Sequence, residues 1–178
     1  MLVSKIILYD GKLSVKKNES CSYCHMPQTG LTGPVSALNK TTVAYPGSVR
    51  TRFSGRKPQS HTYASFAPVL HYNPEQGDFV GGQFGDMRAT GLRLDSALSE
   101  QAKVPPLDPA EKGLIDPACM VYRMSQRPYR SIAEKPWSAQ AFAFQWPEGA
   151  KEVCDRPGPP RVADHFPLHL TTVERGTA

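Results

Sequence analysis

Residues 21–25 read Cys-Ser-Tyr-Cys-His, and this string restricts the fold more than anything else in the chain. Two thiols three positions apart can each add to one of the two vinyl groups of a single porphyrin. The next residue then offers its imidazole to the iron. This is the attachment pattern of haem c, which makes Cys21 and Cys24 the covalent anchors of one haem and His25 its axial ligand. Such a ring needs a supporting hydrogen bond to fix its orientation. The competing readings are a redox-active dithiol and half of a zinc site. Zinc would need a second ligand pair at similar spacing, and the sequence shows none. The chain must therefore wrap a large flat cofactor.

Composition points the same way. Hydrophobic residues make up 39% and aromatics 9% of 178 residues, against 14 glycines and 17 prolines. A chain so built has little apolar surface of its own to bury, so the cofactor supplies part of the core, and long ordered loops are expected. The length suits one domain, or one with a fragment of another. The net charge of +5 is spread along the chain, with no basic stripe and interleaved aromatics of the kind that meets nucleic acid. No apolar run is long enough for a transmembrane segment. The opening MLVSKIILYDGK is too short and too charged for a secretory signal. Haem c is assembled outside the bacterial cytoplasm, so a periplasmic or extracellular location is expected, the leader being absent from this sequence.

Haem takes two of the four cysteines. In an oxidising compartment the other two, Cys119 and Cys154, are expected to form a disulfide; two buried free thiols are the alternative. Three stretches separate along the chain. Residues 1–34 carry a short helix and the motif, and residues 35–90, punctuated by Pro46-Gly47, Ser54-Gly55, Asn73-Pro74 and Gly81-Gly82, read as an ordered wrap. Residues 91–135 hold the better helices: one on Leu92, Leu94, Ala97 and Leu98, one starting at Asp108-Pro109, and one through Ala118, Val121 and Tyr122. The domain is drawn at residues 1–155, with 156–178 a proline-rich tail or the truncated start of a second domain. Trp137 and Trp146 read as core or interface aromatics, and no metal is expected at His165 and His169.

Several motifs, in order, resemble the bacterial di-haem cytochrome c peroxidases and their MauG-type relatives. SKIILYDGKLSVKKNESCSYCHMPQTGLTGP is similar to that family's G-K-x-L-F-x-D-x-x-L-S segment, its N-x-S-C-x-x-C-H and its G-[FL]-[TS]-[DG]-P turn. Arg56-Lys57-Pro58-Gln59-Ser60, Gly81-Gly82-Gln83-Phe84, Asp86, Arg88-Ala89, Gln101-Ala102 and Leu107-Asp108-Pro109-Ala110-Glu111 follow, then DPACMVYRM and AFQWPEGAKEVC. The resemblance covers roughly residues 4 to 155. It implies an all-α, cytochrome-c-like haem domain with little or no sheet, whose haem reacts with hydrogen peroxide. It places the family's acid–base glutamate on Glu111 and its distal glutamine on Gln101. A carboxyl in a partly apolar pocket can move a proton between the two peroxide oxygens. Arg88 is a candidate partner for a haem propionate. A redox partner protein or another cytochrome subunit is expected.

The departures bear on activity. The family's bridging tryptophan is Gly85 here, its calcium-binding asparagine aligns with Tyr63, its loop histidine aligns near Gly55, and Lys112 stands where methionine usually follows the glutamate. This sequence carries one C-x-x-C-H run. Candidates for the sixth iron position are His61, His71 and Met87, with a vacant position as the fourth possibility. Two functions follow: a peroxidase or MauG-type oxidoreductase, or a non-enzymatic mono-haem carrier or structural subunit.

Overall fold

Leu2–Tyr9 forms helix α1, whose Val3 and Ile7, one turn apart, share the face that packs on α6. Asp10 ends it and caps the next 3-10 turn, Gly11–Leu13, accepting from the Lys12 N–H at 2.8 Å. This computed structural model describes residues 2–136, 138, 140–143 and 145–160. Further helices are α2 (Cys21–Cys24), α3 (Ser36–Lys40), α4 (Ala97–Ala102), α5 (Pro117–Ser125), α6 (Arg130–Glu134) and α7 (Ala150–Cys154). No described helix is long and apolar enough to cross a membrane.

The protein is mostly helical, as the sequence implies, but not purely α. His71–Asn73 (β1) and Asp78–Val80 (β2) pair antiparallel, with Tyr72 opposite Phe79. The turn between them is built on Asn73, whose side chain accepts from the N–H groups of Glu75 and Gln76, and on Gly77 at φ +69°. Such turn chemistry closes a hairpin.

Two of the three expected helices change form. The helix foreseen from Leu92 begins only at Ala97, because Gly91 and Asp95 adopt positive φ and Ser96 is the N-cap, accepting from Ser99 N–H at 3.2 Å. Leu92 and Leu94 stay exposed. The stretch after Asp108 makes a single turn: Asp108 Oδ1 accepts from Ala110 N–H at 2.9 Å, and Gly113, at φ +67°, closes it on the Asp108 carbonyl. A left-handed residue so soon after the cap stops propagation. α5 forms as foreseen, with Asp116 as N-cap and Pro117 in the first turn.

Two small cores hold these elements. Val3, Ala133 and Phe142 join α1 to α6, with Ile7, Met124, Tyr129 and Ile132 around them. Val15, Leu114, Cys119 and Cys154 form the other, flanked by Val49, Leu107, Met120 and Tyr122. Buried Arg123 ties the second together, donating to the carbonyls of Lys12, Val15 and Cys154 and to Asp155 Oδ1 at 2.8 Å. Trp146 meets Tyr122 edge-to-face at 5.1 Å. Pro157 bridges to Leu114, and Arg52 donates to the Gly158 carbonyl, so the chain stays fastened to the domain past residue 155. Trp137, His165 and His169 lie outside the described residues.

Cys119 and Cys154 are bonded to each other, stapling α5 to α7. The bridge spans 35 residues, for which the chain-entropy account gives roughly 4 kcal/mol, native strain reducing it. Replacing both cysteines by serine should lower the unfolding free energy by about 2–4 kcal/mol, read from denaturant midpoints. An unchanged midpoint would show that the packing of α5 on α7 holds without the staple.

Candidate haem site

The approach to the motif is clamped before the helix begins. Ser14 Oγ, fully buried, accepts from the N–H groups of Asn18 and Glu19 at 3.1 and 3.0 Å. Ser48 Oγ accepts from Lys16 N–H and donates to Asn18 Oδ1, while Asn18 Nδ2 donates back to the Ser48 carbonyl. Residues 16–19 therefore enter α2 in a fixed direction.

α2 is one turn long and contains both thiols. Cys21 and Cys24 are unbonded and half-buried. Burial, and then the carboxylates of Glu19 and Glu111, push the Cys24 thiol well above its ordinary value. His25 follows directly, its N–H closing on the Cys21 carbonyl at 2.9 Å. Its Nδ1 bonds the Leu31 carbonyl at 2.9 Å. Burial holds the ring below its ordinary pKa and so neutral, despite that bond and one to the Gln59 backbone. Two free thiols on one turn and a neutral, carbonyl-anchored imidazole are the donor set that covalent haem requires. Among the described residues no group of three or more His, Cys, Asp or Glu could hold a metal ion.

Glu111 is brought to this site. Glu111 sits in the turn after Asp108; its carbonyl accepts from Ser48 N–H at 2.7 Å, and its carboxylate acts on Cys24. The approach depends on Gly47, because a Cβ there would run into the backbone of Ala110 and Glu111. Gln101 is half-buried near the end of α4, and among the described residues it makes no hydrogen bond to the motif. Arg88 is held by Asp86 through both carboxylate oxygens, at 2.9 and 2.8 Å, and lies 3.7 Å over the Phe84 ring. Both bonds use Nη1, so Nη2 and Nε are left to meet another acceptor.

The sixth-ligand candidates divide. His61 stacks on His25 with ring centroids 3.7 Å apart, so if His25 held the iron, His61 would be packed against that ligand's ring. His71 is exposed on β1 with Nδ1 bonded to the Val69 carbonyl, and Met87 is also exposed. Burial and the neighbouring His25 push His61 down to about 4.

Sequence reading missed a buried pair. Glu19 and Lys112 are each 4% exposed, and Lys112 Nζ donates to the Glu19 carbonyl at 3.2 Å. Glu19 Oε2 has no hydrogen-bond partner. Lys112 at the family's methionine position was the available signal; nothing in the sequence tied it to Glu19. Burial raises the Glu19 carboxyl to about 7, against the pull of Lys112, Arg50 and a Ser48 backbone bond, with Asp108 adding to the rise. A raised folded-state value favours the native protein below the unfolded value of 4.5, and that advantage is lost as pH climbs to about 7. The Glu19→Gln protein should therefore lack a decline of roughly 3 kcal/mol that the parent shows over this range. Parallel stability–pH curves for the two proteins would refute the assignment.

With this geometry in view, comparison with known proteins is direct. The sequence profile of the di-haem cytochrome c peroxidases matches residues 4–152, and the chain belongs to that family. It is 30% identical over 126 residues to the methylamine utilization protein MauG of Paracoccus denitrificans (strain Pd 1222), a match covering 70% of this chain and 30% of that protein. Its fold matches the crystal structure of the diheme peroxidase BthA from Burkholderia thailandensis E264, with TM-score 0.68, 23% identity and coverage of 86% of this chain and 35% of that one. A point variant of the same peroxidase gives TM-score 0.67. The chain thus spans about a third of the length of these relatives.

Proposed function

We propose that this chain is a periplasmic c-type haem domain that carries one covalent haem on Cys21 and Cys24 with His25 on the iron, and that it serves peroxide reduction and electron transfer. The observation that carries this reading is the pairing of two free, half-buried thiols on one helical turn with a neutral imidazole tied to Leu31. Bound haem would supply the iron at which peroxide is reduced and through which electrons pass. Cys21 and Cys24 fix it in place, and the Leu31 carbonyl fixes the ring of His25. Glu111, in the turn held against Ser48, is assigned the transfer of a proton between the peroxide oxygens. Gln101 is assigned the orienting hydrogen bond, a role its place on α4 supports less well than the turn supports that of Glu111.

The carrier reading has its own observation. Gly85 has no Cβ, and the nearest atoms to one placed there are Arg56 Nη1 at 3.6 Å and Gln59 Nε2 at 3.9 Å. No aromatic bridge occupies that position, so electrons would leave through a haem edge set close to a partner's cofactor. The resting spectrum of the haem-loaded protein separates the two. A high-spin, five-coordinate haem that reacts with hydrogen peroxide supports the peroxidase reading. A low-spin haem inert to peroxide supports the carrier, and a protein with no haem stain on a denaturing gel defeats both.

A further inference from the structure

The rings of His61 and His25 lie nearly parallel, with centroids 3.7 Å apart and planes 19° from parallel. The His61 N–H donates at 3.3 Å to the Leu31 carbonyl, the oxygen that also holds His25 Nδ1 at 2.9 Å. The segment bearing His61 is fastened to the loop after the motif. Thr32 Oγ1 donates to the Pro58 carbonyl at 2.6 Å, and Thr62 Oγ1 donates to the Gly30 carbonyl at 3.0 Å. Ser60 Oγ donates to that same Gly30 carbonyl and accepts from Thr62 N–H at 3.1 Å. Residues 58–62 and 30–32 are thus joined into a collar around the His25 ring.

We propose that His61 is a positioning residue for the axial ligand, fixing the plane of the His25 ring by face contact while its N–H shares the carbonyl that orients that ring. The inference rests on His25 being the iron ligand. The bonds to the Leu31 carbonyl and to the Gln59 backbone hold His25 by its edge and leave the plane of the ring to be set by what packs on its faces. A second ring in face contact, its centroid 3.7 Å away, fixes that plane. The shared carbonyl has a further effect. Lone-pair density given to the His61 N–H is withheld from His25 Nδ1–H, so His25 is a weaker donor to iron than an undivided carbonyl would make it. A stacked ring needs two faces and no nitrogen, which sets the stacking role apart from ligation.

The test is resonance Raman spectroscopy of the ferrous haem-loaded protein, recorded after photolysis of its CO adduct so that the iron is five-coordinate whatever its resting sixth ligand. His61→Ala should shift and broaden the iron–histidine stretching band and move the reduction potential. His61→Phe, which keeps the stack, should restore both. If His61→Ala holds no haem, a normal band in His61→Phe still supports the stack, and loss of haem in both variants overturns it. An unchanged band in His61→Ala also overturns it, as does equal disturbance by Ala and Phe. Conversion of a low-spin resting haem to high spin in both variants would overturn it by making His61 a ligand. The underlying reading fails separately. A parent protein with no iron–histidine band, or a His25→Gly protein whose haem is unaltered, removes His25 from the iron and says nothing against the stack itself.

Discussion

The double substitution Cys21→Ala, Cys24→Ala is expected to abolish haem staining on a denaturing gel, and each single substitution to leave one thioether in place. The consequence for the fold should be lopsided. Between residues 35 and 90 the described side chains that the polypeptide itself buries are few, chiefly Tyr45, Ser48 and Ala89. Phe53, Tyr63, Phe66, Tyr72, Phe79 and Met87 are all exposed. α1, α5, α6 and α7, in contrast, place Val3, Cys119, Ala133 and Cys154 in the two buried clusters and carry the disulfide. Loss of the haem anchor should therefore open the wrap and spare the helical half, because local opening follows the density of buried apolar contacts. Limited proteolysis should cut the double variant first between residues 50 and 90, many-fold faster than the parent, while α5 and α7 stay linked through Cys119 and Cys154. An equal cleavage rate would mean that the wrap is held by its own hydrogen bonds. Retained haem staining would remove the attachment assignment altogether.

How much of this was legible beforehand follows from the range of the interactions. The C-x-x-C-H motif could be read because five consecutive residues carry it, and α5 because Ala118, Val121 and Tyr122 lie within the helix itself. The false helices failed for equally local reasons that carry weak sequence signals: Asp95 at positive φ is not a glycine, and Gly113 looks like any loop glycine until it closes on Asp108. The site's finer structure is long-range. Glu19 meets Lys112 across 93 residues, and Ser48 reaches Asn18 across 30. No periodicity encodes such pairs. His61 was legible as a histidine of the wrap but not as the partner of the His25 ring, because only the folded path of residues 58–62 sets the two rings face to face.

Glu111→Gln is expected to slow the reaction of the haem-loaded protein with hydrogen peroxide by about 10²- to 10⁴-fold, the usual worth of general acid–base help. The substitution is close to isosteric. The contacts that place the turn, Ser48 N–H on the Glu111 carbonyl and Glu111 N–H on the Asp108 carbonyl, belong to the backbone and survive it. Haem content and the resting spectrum should therefore stay as in the parent, so the loss reports the proton and not the fold. Two controls sharpen the assignment. Gln101→Ala, on α4, should cost much less if its amide only orients peroxide. Glu19 is a second buried carboxyl that acts on Cys24, and at about 7 it is protonated over part of the working range. If Glu19→Gln slows the reaction and Glu111→Gln does not, the proton comes from Glu19, and the lysine at the family's methionine position has moved the acid from one carboxyl to the other. If neither variant differs from a reactive parent, the proton reaches peroxide through solvent, and the turn after Asp108 serves only to close the fold over the haem edge.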